Sequence, residues 1–266
     1  MIYLRHLTMD GLENCRDLGG YATADGGVTR YGVYLRSELP ENLTERDFAL
    51  LREYHLVRSL DLRGSEETVT QPSDLSRMEG VEYLNIPMFD RAAAAGSESE
   101  RRRERPQRPP EGFKFPEWDV TYVGMLEQHK HWPKVLLEAL AVEDGCVHYN
   151  CFTGKDRTGI CTAMLFSVVG VSREDIWADY SLSMSYLGRR YGAMAARFKD
   201  GPGFGTAIDE EGNPVLSSGF FSTLPTYMRK ALEHLDKNYG GMIPYLKECG
   251  VTDDVMELIK KRLVEY

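Results

Sequence analysis

Residues 145–169 constrain this chain more than any other stretch. Gly145-Cys146-Val147-His148-Tyr149 reads as a short buried strand, and Ile160 to Val169 as a helix apolar on nearly every side, hence buried. Between them runs Cys151-Phe152-Thr153-Gly154-Lys155-Asp156-Arg157, followed at once by Thr158-Gly159. A thiol and a guanidinium thus stand at the two ends of one tight loop. In such a loop the backbone N–H groups of residues 152–157 point inward and the next helix offers its positive N-terminus. The arginine closes the cup with a two-pronged hydrogen bond, which makes a cradle for one phosphate group. The same field would stabilise a thiolate at Cys151, placed to attack phosphorus. A bare Cys-x5-Arg spacing arises by chance about 0.4 times in a chain with five cysteines, so the internal residues must carry the signal. Gly154 sits where the loop needs an unhindered residue or positive φ. Thr158 brings a hydroxyl able to bond the thiolate or the leaving sulfur. The competing structural reading, an inert buried cysteine beside a surface arginine, leaves this context unexplained.

The rest of the chain reads as the frame for that loop. Residues 27–37 suggest a strand pair, or a strand after a glycine turn. Thr44 caps a helix whose apolar face begins with Phe48, Leu50 and Leu51, and Leu56 to Leu62 and Val81 to Met88 read as strands. Asp119 to Val142 is helix-rich and interrupted at Pro133. Ser172 caps a further helix, and two short helices, around 242–248 and 252–266, close the chain. Strands alternating with helices predict an α/β fold with a parallel-rich central sheet flanked by helices. Ligands in such sheets sit at the carboxyl ends of strands, where Asp61 and Cys151 both fall.

The chain has 266 residues, 42% hydrophobic, enough for a sizeable core in one domain. Residues 91–117 break the composition, with Arg101-Arg102-Arg103-Glu104-Arg105 and then Pro106, Pro109 and Pro110. They read as a solvated insertion or as a basic lid over the cup. A glycine-rich acidic loop, 201–219, reads as a surface excursion. The formal charge of −9 argues against nucleic acid or an anionic bilayer as partner. No stretch is long and apolar enough for stable membrane insertion. The first residues hold no apolar signal core, so the expectation is a cytoplasmic chain, or one whose leader is missing or that leaves by another route. The five scattered cysteines show no metal-ligand spacing and no disulfide framework.

These pieces resemble a known family. Asn14-Cys15-Arg16-Asp17-Leu18-Gly19-Gly20, Tyr34-Leu35-Arg36-Ser37, Leu43-Thr44, Leu60-Asp61-Leu62-Arg63, Ile86-Pro87, Gly154-Lys155-Asp156-Arg157-Thr158-Gly159, and Asp179-Tyr180 with Ser183 are similar to the bacterial tyrosine-protein phosphatases, the group that includes the secreted mycobacterial and listerial enzymes. The resemblance spans residue 14 to about 265. It implies one cysteine-phosphatase-like α/β domain over 1–266 with a helical lid insertion, and it calls for no metal or cofactor. It also implies a phosphorylated protein or phosphoinositide as substrate and inorganic phosphate as product.

Roles follow from the reading and the resemblance together. Cys151 is the expected nucleophile, forming a thiophosphate enzyme. Arg157 and the amides of Phe152, Thr153, Gly154, Lys155 and Asp156 hold the phosphate oxygens, with Lys155 adding charge for this phosphate or a second one. Asp156 is the proton donor that the resemblance implies. Asp119, upstream by about the interval at which other cysteine phosphatases carry an acid loop, is the alternative, with a plain helix N-cap as its bland reading; Asp90 is a lesser one. Thr158 would assist thiolate release, and Asp61 would bond Arg157 or the loop unless it simply pairs with Arg63. Arg16-Asp17 and Arg36-Ser37 would line the site or form a fold-stabilising ion pair. Cys15 and Cys161 read as core, with Cys15 a candidate disulfide partner only if it lies near Cys151. One departure stands out: the family's histidine before the nucleophile is Asn150 here, and His148 lies two residues back on the same face. An amide can brace the loop but brings no charge to the thiol. Two other functions compete, a noncatalytic phosphate-recognition module and a sulfur transferase, and the second leaves Arg157-Thr158 unexplained.

Overall fold

The structure is a computed structural model, and it describes residues 3–89, 118–188, 190–192 and 221–266. The insertion 91–117, Asp90 and the loop 201–219 lie outside the described residues. A central sheet of five strands has the order β1-β3-β6-β4-β5. Its strands are β1 (Arg16–Asp17), β3 (Tyr34–Ser37), β4 (Leu56–Asp61), β5 (Glu82–Asn85) and β6 (Cys146–Asn150). β6 pairs in parallel with both β3 and β4, β4 pairs in parallel with β5, and only the edge strand β1 runs antiparallel. The parallel-rich expectation therefore holds. A two-stranded ribbon, β2 (Val28–Thr29) with β7 (Val264–Glu265), ties the C-terminus back near the start.

Alternation along the strands gives the sheet two apolar faces. Tyr34, Leu60, Val147 and Tyr149 point into the larger cluster. It is completed by helices α3 (Trp118–Gln128), α4 (Trp132–Leu140), α5 (Asp156–Val168), α7 (Pro225–Tyr239), α8 (Met242–Glu248) and α9 (Asp253–Leu263). Leu35, Leu56 and Cys146 point the other way, against Leu51 of α1 (Glu45–Glu53), Tyr54 at its C-cap and the N-terminal Leu7, Met9 and Leu12. Cys15 belongs to this second face and Cys151 to the first, so the two thiols do not meet and all five cysteines are free. Cys161 is core, as expected.

Local signals account for most element ends. Thr44 accepts from Asp47 N and Asp47 reaches back to Thr44 N, a full capping box for α1. Ser172 caps α6 (Arg173–Tyr186) by accepting from Asp175 N, and its hydroxyl donates to Asp175 Oδ2. The helix-rich stretch is interrupted as expected, at residues 129–131, and Pro133 lies in the first turn of α4, where a missing N–H costs nothing. The described part of helix α3 runs from Trp118, so Asp119 lies within the helix rather than at a cap before Val120. Two helices were not anticipated. One is α7, opened by Pro225 and closed by Gly240 at φ 83°. The other is α2 (Ser65–Thr70), short, acidic and without a buried residue.

Candidate active site

β6 is the middle strand, and Cys151 is the first residue beyond its carboxyl end. Residues 151–155 then turn the chain into α5. Gly154 takes φ 65°, and a Cβ there would lie 2.4 Å from the backbone of Ser37 and Glu38. Both the left-handed backbone and the close approach require glycine at this position.

The loop's carbonyls are drawn away from its concave side one by one. Phe152 O accepts from Leu39 N at 3.1 Å, and Thr153 O from Asn14 Nδ2 at 3.3 Å. Gly154 O accepts from Asn14 Nδ2 at 3.3 Å and from Arg36 Nη2 at 2.7 Å, while Lys155 O accepts from Gly159 N. When each carbonyl of a tight turn is held outward, the N–H groups of the same peptides face inward, which is the arrangement of an anion nest.

The anchors are themselves buried. Arg36 Nη1 donates to Asp179 Oδ2 at 2.5 Å and to Thr162 Oγ1, and Arg16 Nε donates to Asp179 Oδ1 at 3.1 Å. Arg16 also donates to Asn14 Oδ1. Burial alone would raise the Asp179 carboxyl, but the two guanidinium groups outweigh it and hold it below the usual carboxylate range. Arg16 and Arg36 therefore form an ion triplet beneath the loop rather than the wall of a pocket. Within the triplet two cations face one anion.

Arg157 stands at the rim. Its Nη1 and Nη2 donate to Glu67 Oε2 and Oε1 at 2.7 and 3.2 Å, and its guanidinium lies over the Phe89 ring at 5.2 Å. Glu67 Oε2 also accepts from Gly64 N, so the small helix α2 holds this carboxylate in place. Burial works against the arginine's charge, but Cys151 and Glu67 more than offset it and raise its pKa. The fork of Glu67 occupies the outer nitrogens and leaves the Nε side for an anion.

Asp61 does not bond Arg157, which corrects the first of the two readings given for it. Its carboxylate takes Arg63 Nη2 at 2.7 Å and Arg63 Nε at 2.9 Å, with Tyr83 OH at 2.8 Å. Leu62 N bonds Asn150 O as the chain leaves β4, and this turn folds Arg63 back over Asp61. Arg63 in turn donates to Gln71 O just beyond α2, so Asp61 supports the helix that carries Glu67.

The residues around the nucleophile are equally specific. Asn150 Nδ2 donates to Cys151 O at 3.2 Å, while its buried Oδ1 has no partner among the described residues. His148, on the same face, is clamped between Ser37 Oγ at 2.8 Å and Ser59 Oγ at 2.9 Å. Burial lowers its pKa to about 4, so it is neutral near pH 7 and does not replace the missing imidazolium. The Thr158 hydroxyl is buried and without a partner among the described residues. Lys155 is buried, with Nζ 3.5 Å from Asp156 Oδ1 and 3.3 Å from Ser222 O, and burial lowers its pKa. Asp156 accepts from the Tyr122 hydroxyl, which lies 2.5 Å from the Tyr180 hydroxyl.

The structure thus brings Cys151, the loop residues 152–157, Thr158 and Asn150 together, and sets Asp61 one layer back. Asp119 is on α3, the helix that supplies Tyr122. Glu67 and Tyr122 went unnoticed in the sequence, and Tyr180 stood there without a role. Glu67 follows Arg63 by four residues inside an acidic run, a faint signal at most.

Comparison with known proteins gives three findings. A family model described as "Tyrosine phosphatase family" matches residues 7–265. A tyrosine-protein phosphatase of Nostoc commune is 26% identical over 232 residues, covering 87% of this chain and 74% of the relative. The triple specificity protein phosphatase PtpB of Mycobacterium tuberculosis is 25% identical over 268 residues, covering 92% and 94%.

Proposed function

As this chain belongs to the tyrosine phosphatase family, we propose that it hydrolyses phosphotyrosine through a phosphocysteine at Cys151. Support comes chiefly from the loop 151–157, whose carbonyls are held outward beside a braced arginine. The Cys151 thiolate attacks in line, the S–P bond forms as the P–O bond to the tyrosyl oxygen breaks, and Asp156 gives its proton to that oxygen. Water then attacks phosphorus, Asp156 takes its proton back, and the thiolate leaves with release of inorganic phosphate. The inward N–H groups and the Nε side of Arg157 hold the equatorial oxygens through both steps. The orphaned Thr158 hydroxyl is the available donor to sulfur as it departs.

Without an imidazolium before the cysteine, the thiolate depends on the cations that face it: Arg36, Lys155 and Arg157. These three charges, beneath the loop, within it and at its rim, would take over the electrostatic part of the absent histidine's work, and Asn150 supplies only a brace. Asp156 is preferred to Asp119 as proton donor because it lies within the loop and has a hydrogen-bonded support. Phosphoinositides and other phosphate esters belong to the candidate substrates, a reading encouraged by the triple specificity in the name of the mycobacterial relative.

Turnover of nitrophenyl phosphate by the wild type and by Cys151→Ser is the test. The wild type is expected to turn over, and the variant to lose at least about a thousandfold while still binding tungstate. An inert wild type that still binds tungstate would make this chain a phosphate-recognition module instead.

A further inference from the structure

Helix α3, described from Trp118, carries Tyr122 to the phosphate loop. The Tyr122 hydroxyl meets Asp156 Oδ1 on one side and the Tyr180 hydroxyl on the other. An ionised carboxylate only accepts, so the bonds run from Tyr180 to Tyr122 to Asp156 and link α6, α3 and α5. Lys155 Nζ approaches the same oxygen, Oδ1, at 3.5 Å. Oδ2 makes no hydrogen bond among the described residues. One oxygen of the carboxyl is therefore held and the other is free.

That asymmetry suits an acid that gives up a proton in one step and recovers it in the next. We propose that Tyr122, backed by Tyr180, is a positioning residue that holds Asp156 by Oδ1 and leaves Oδ2 to carry the catalytic proton. This rests on the reading of Asp156 as the proton donor. Burial, with the Asp156 charge beside them, pushes both phenols well above their usual range, so each remains a donor wherever the enzyme is active. The other groups facing Asp156 are Lys155 and Arg157 from the loop and Tyr191 from the segment 190–192. None of these is altered by removing one hydroxyl. The rings stay packed as well, since Tyr122 meets Tyr180 edge-on at 5.8 Å and Tyr227 at 6.4 Å.

Tyr122→Phe tests the proposal. Losing a donor to the charged carboxylate moves the basic limb of the kcat/KM profile to higher pH, by about half a unit to one unit. Its kcat falls about tenfold for esters with poor leaving groups and little for nitrophenyl phosphate, with KM nearly unchanged. Tyr180→Phe shifts the same limb less, and it serves alone if Tyr122→Phe does not fold. The control is Asp156→Ala, which should abolish the limb. An Asp156→Ala enzyme that keeps its basic limb removes the proton donor and this proposal together. If Asp156→Ala behaves as expected while the phenol variants leave the limb and the leaving-group dependence unmoved, the proposal alone is overturned.

Discussion

Beneath the phosphate loop, Arg16, Arg36 and Asp179 are each at most 1% exposed; at its rim, Arg157 is 11% exposed and its partner Glu67 38%. Both groups are arginine–carboxylate pairs, yet water sets their worth differently. The lower group sits in a low dielectric where an unmatched charge is very costly, whereas the upper pair is open to water on its Glu67 side and so partly screened. The lower group also hydrogen-bonds the loop backbone and so fixes the shape of the cup. The other contacts hold the side chains that act, Arg157 through the part-exposed Glu67 and Asp156 through the buried Tyr122. Stability and activity should therefore separate between the two regions.

The largest effect is expected below the loop. Asp179→Asn leaves two buried guanidinium groups without their carboxylate and should cost about 3–5 kcal/mol of stability in urea denaturation. Tungstate binding should fall with it, because the loop loses its anchor. A midpoint shift within the usual range of a surface substitution would erase the distinction drawn here. At the rim, Glu67→Gln should move the denaturation midpoint by no more than about 1 kcal/mol, since surface pairs contribute little. Its KM for an aryl phosphate should nevertheless rise about threefold to tenfold, because Arg157 loses its two-pronged brace. A stability loss equal to that of Asp179→Asn would place Glu67 with the lower group. A smaller effect again is that of Tyr180→Phe on the basic limb, two hydrogen bonds away from the chemistry.

What was legible in the sequence tracks chain separation. The strand, the turn and the buried helix around Cys151 lie within 25 residues and announce themselves by composition, glycine placement and apolar run. The contacts that complete the site do not. Arg157 and Glu67 are 90 residues apart, Asp156 and Tyr122 34, and Arg36 and Asp179 143. No local pattern marks a glutamate on a six-residue helix without a buried face as the brace of an arginine. Asp61 shows the converse. Its place at a strand end pointed correctly to the loop's neighbourhood, but the turn through Leu62 gave its carboxylate to Arg63. Helix α7, for which no expectation was drawn, carries one buried stripe of Met228, Ala231, Leu232 and Leu235.

The central claim is covalent catalysis at Cys151 without a neighbouring histidine. Mixing the enzyme with an aryl phosphate, quenching in acid within the first turnover and mapping the peptides by mass tests it directly. The account predicts one phosphoryl group on the peptide that carries Cys151, formed in a burst with the first equivalent of phenol and absent in Cys151→Ser. Steady turnover with no burst and no phosphoryl group on that peptide would contradict it.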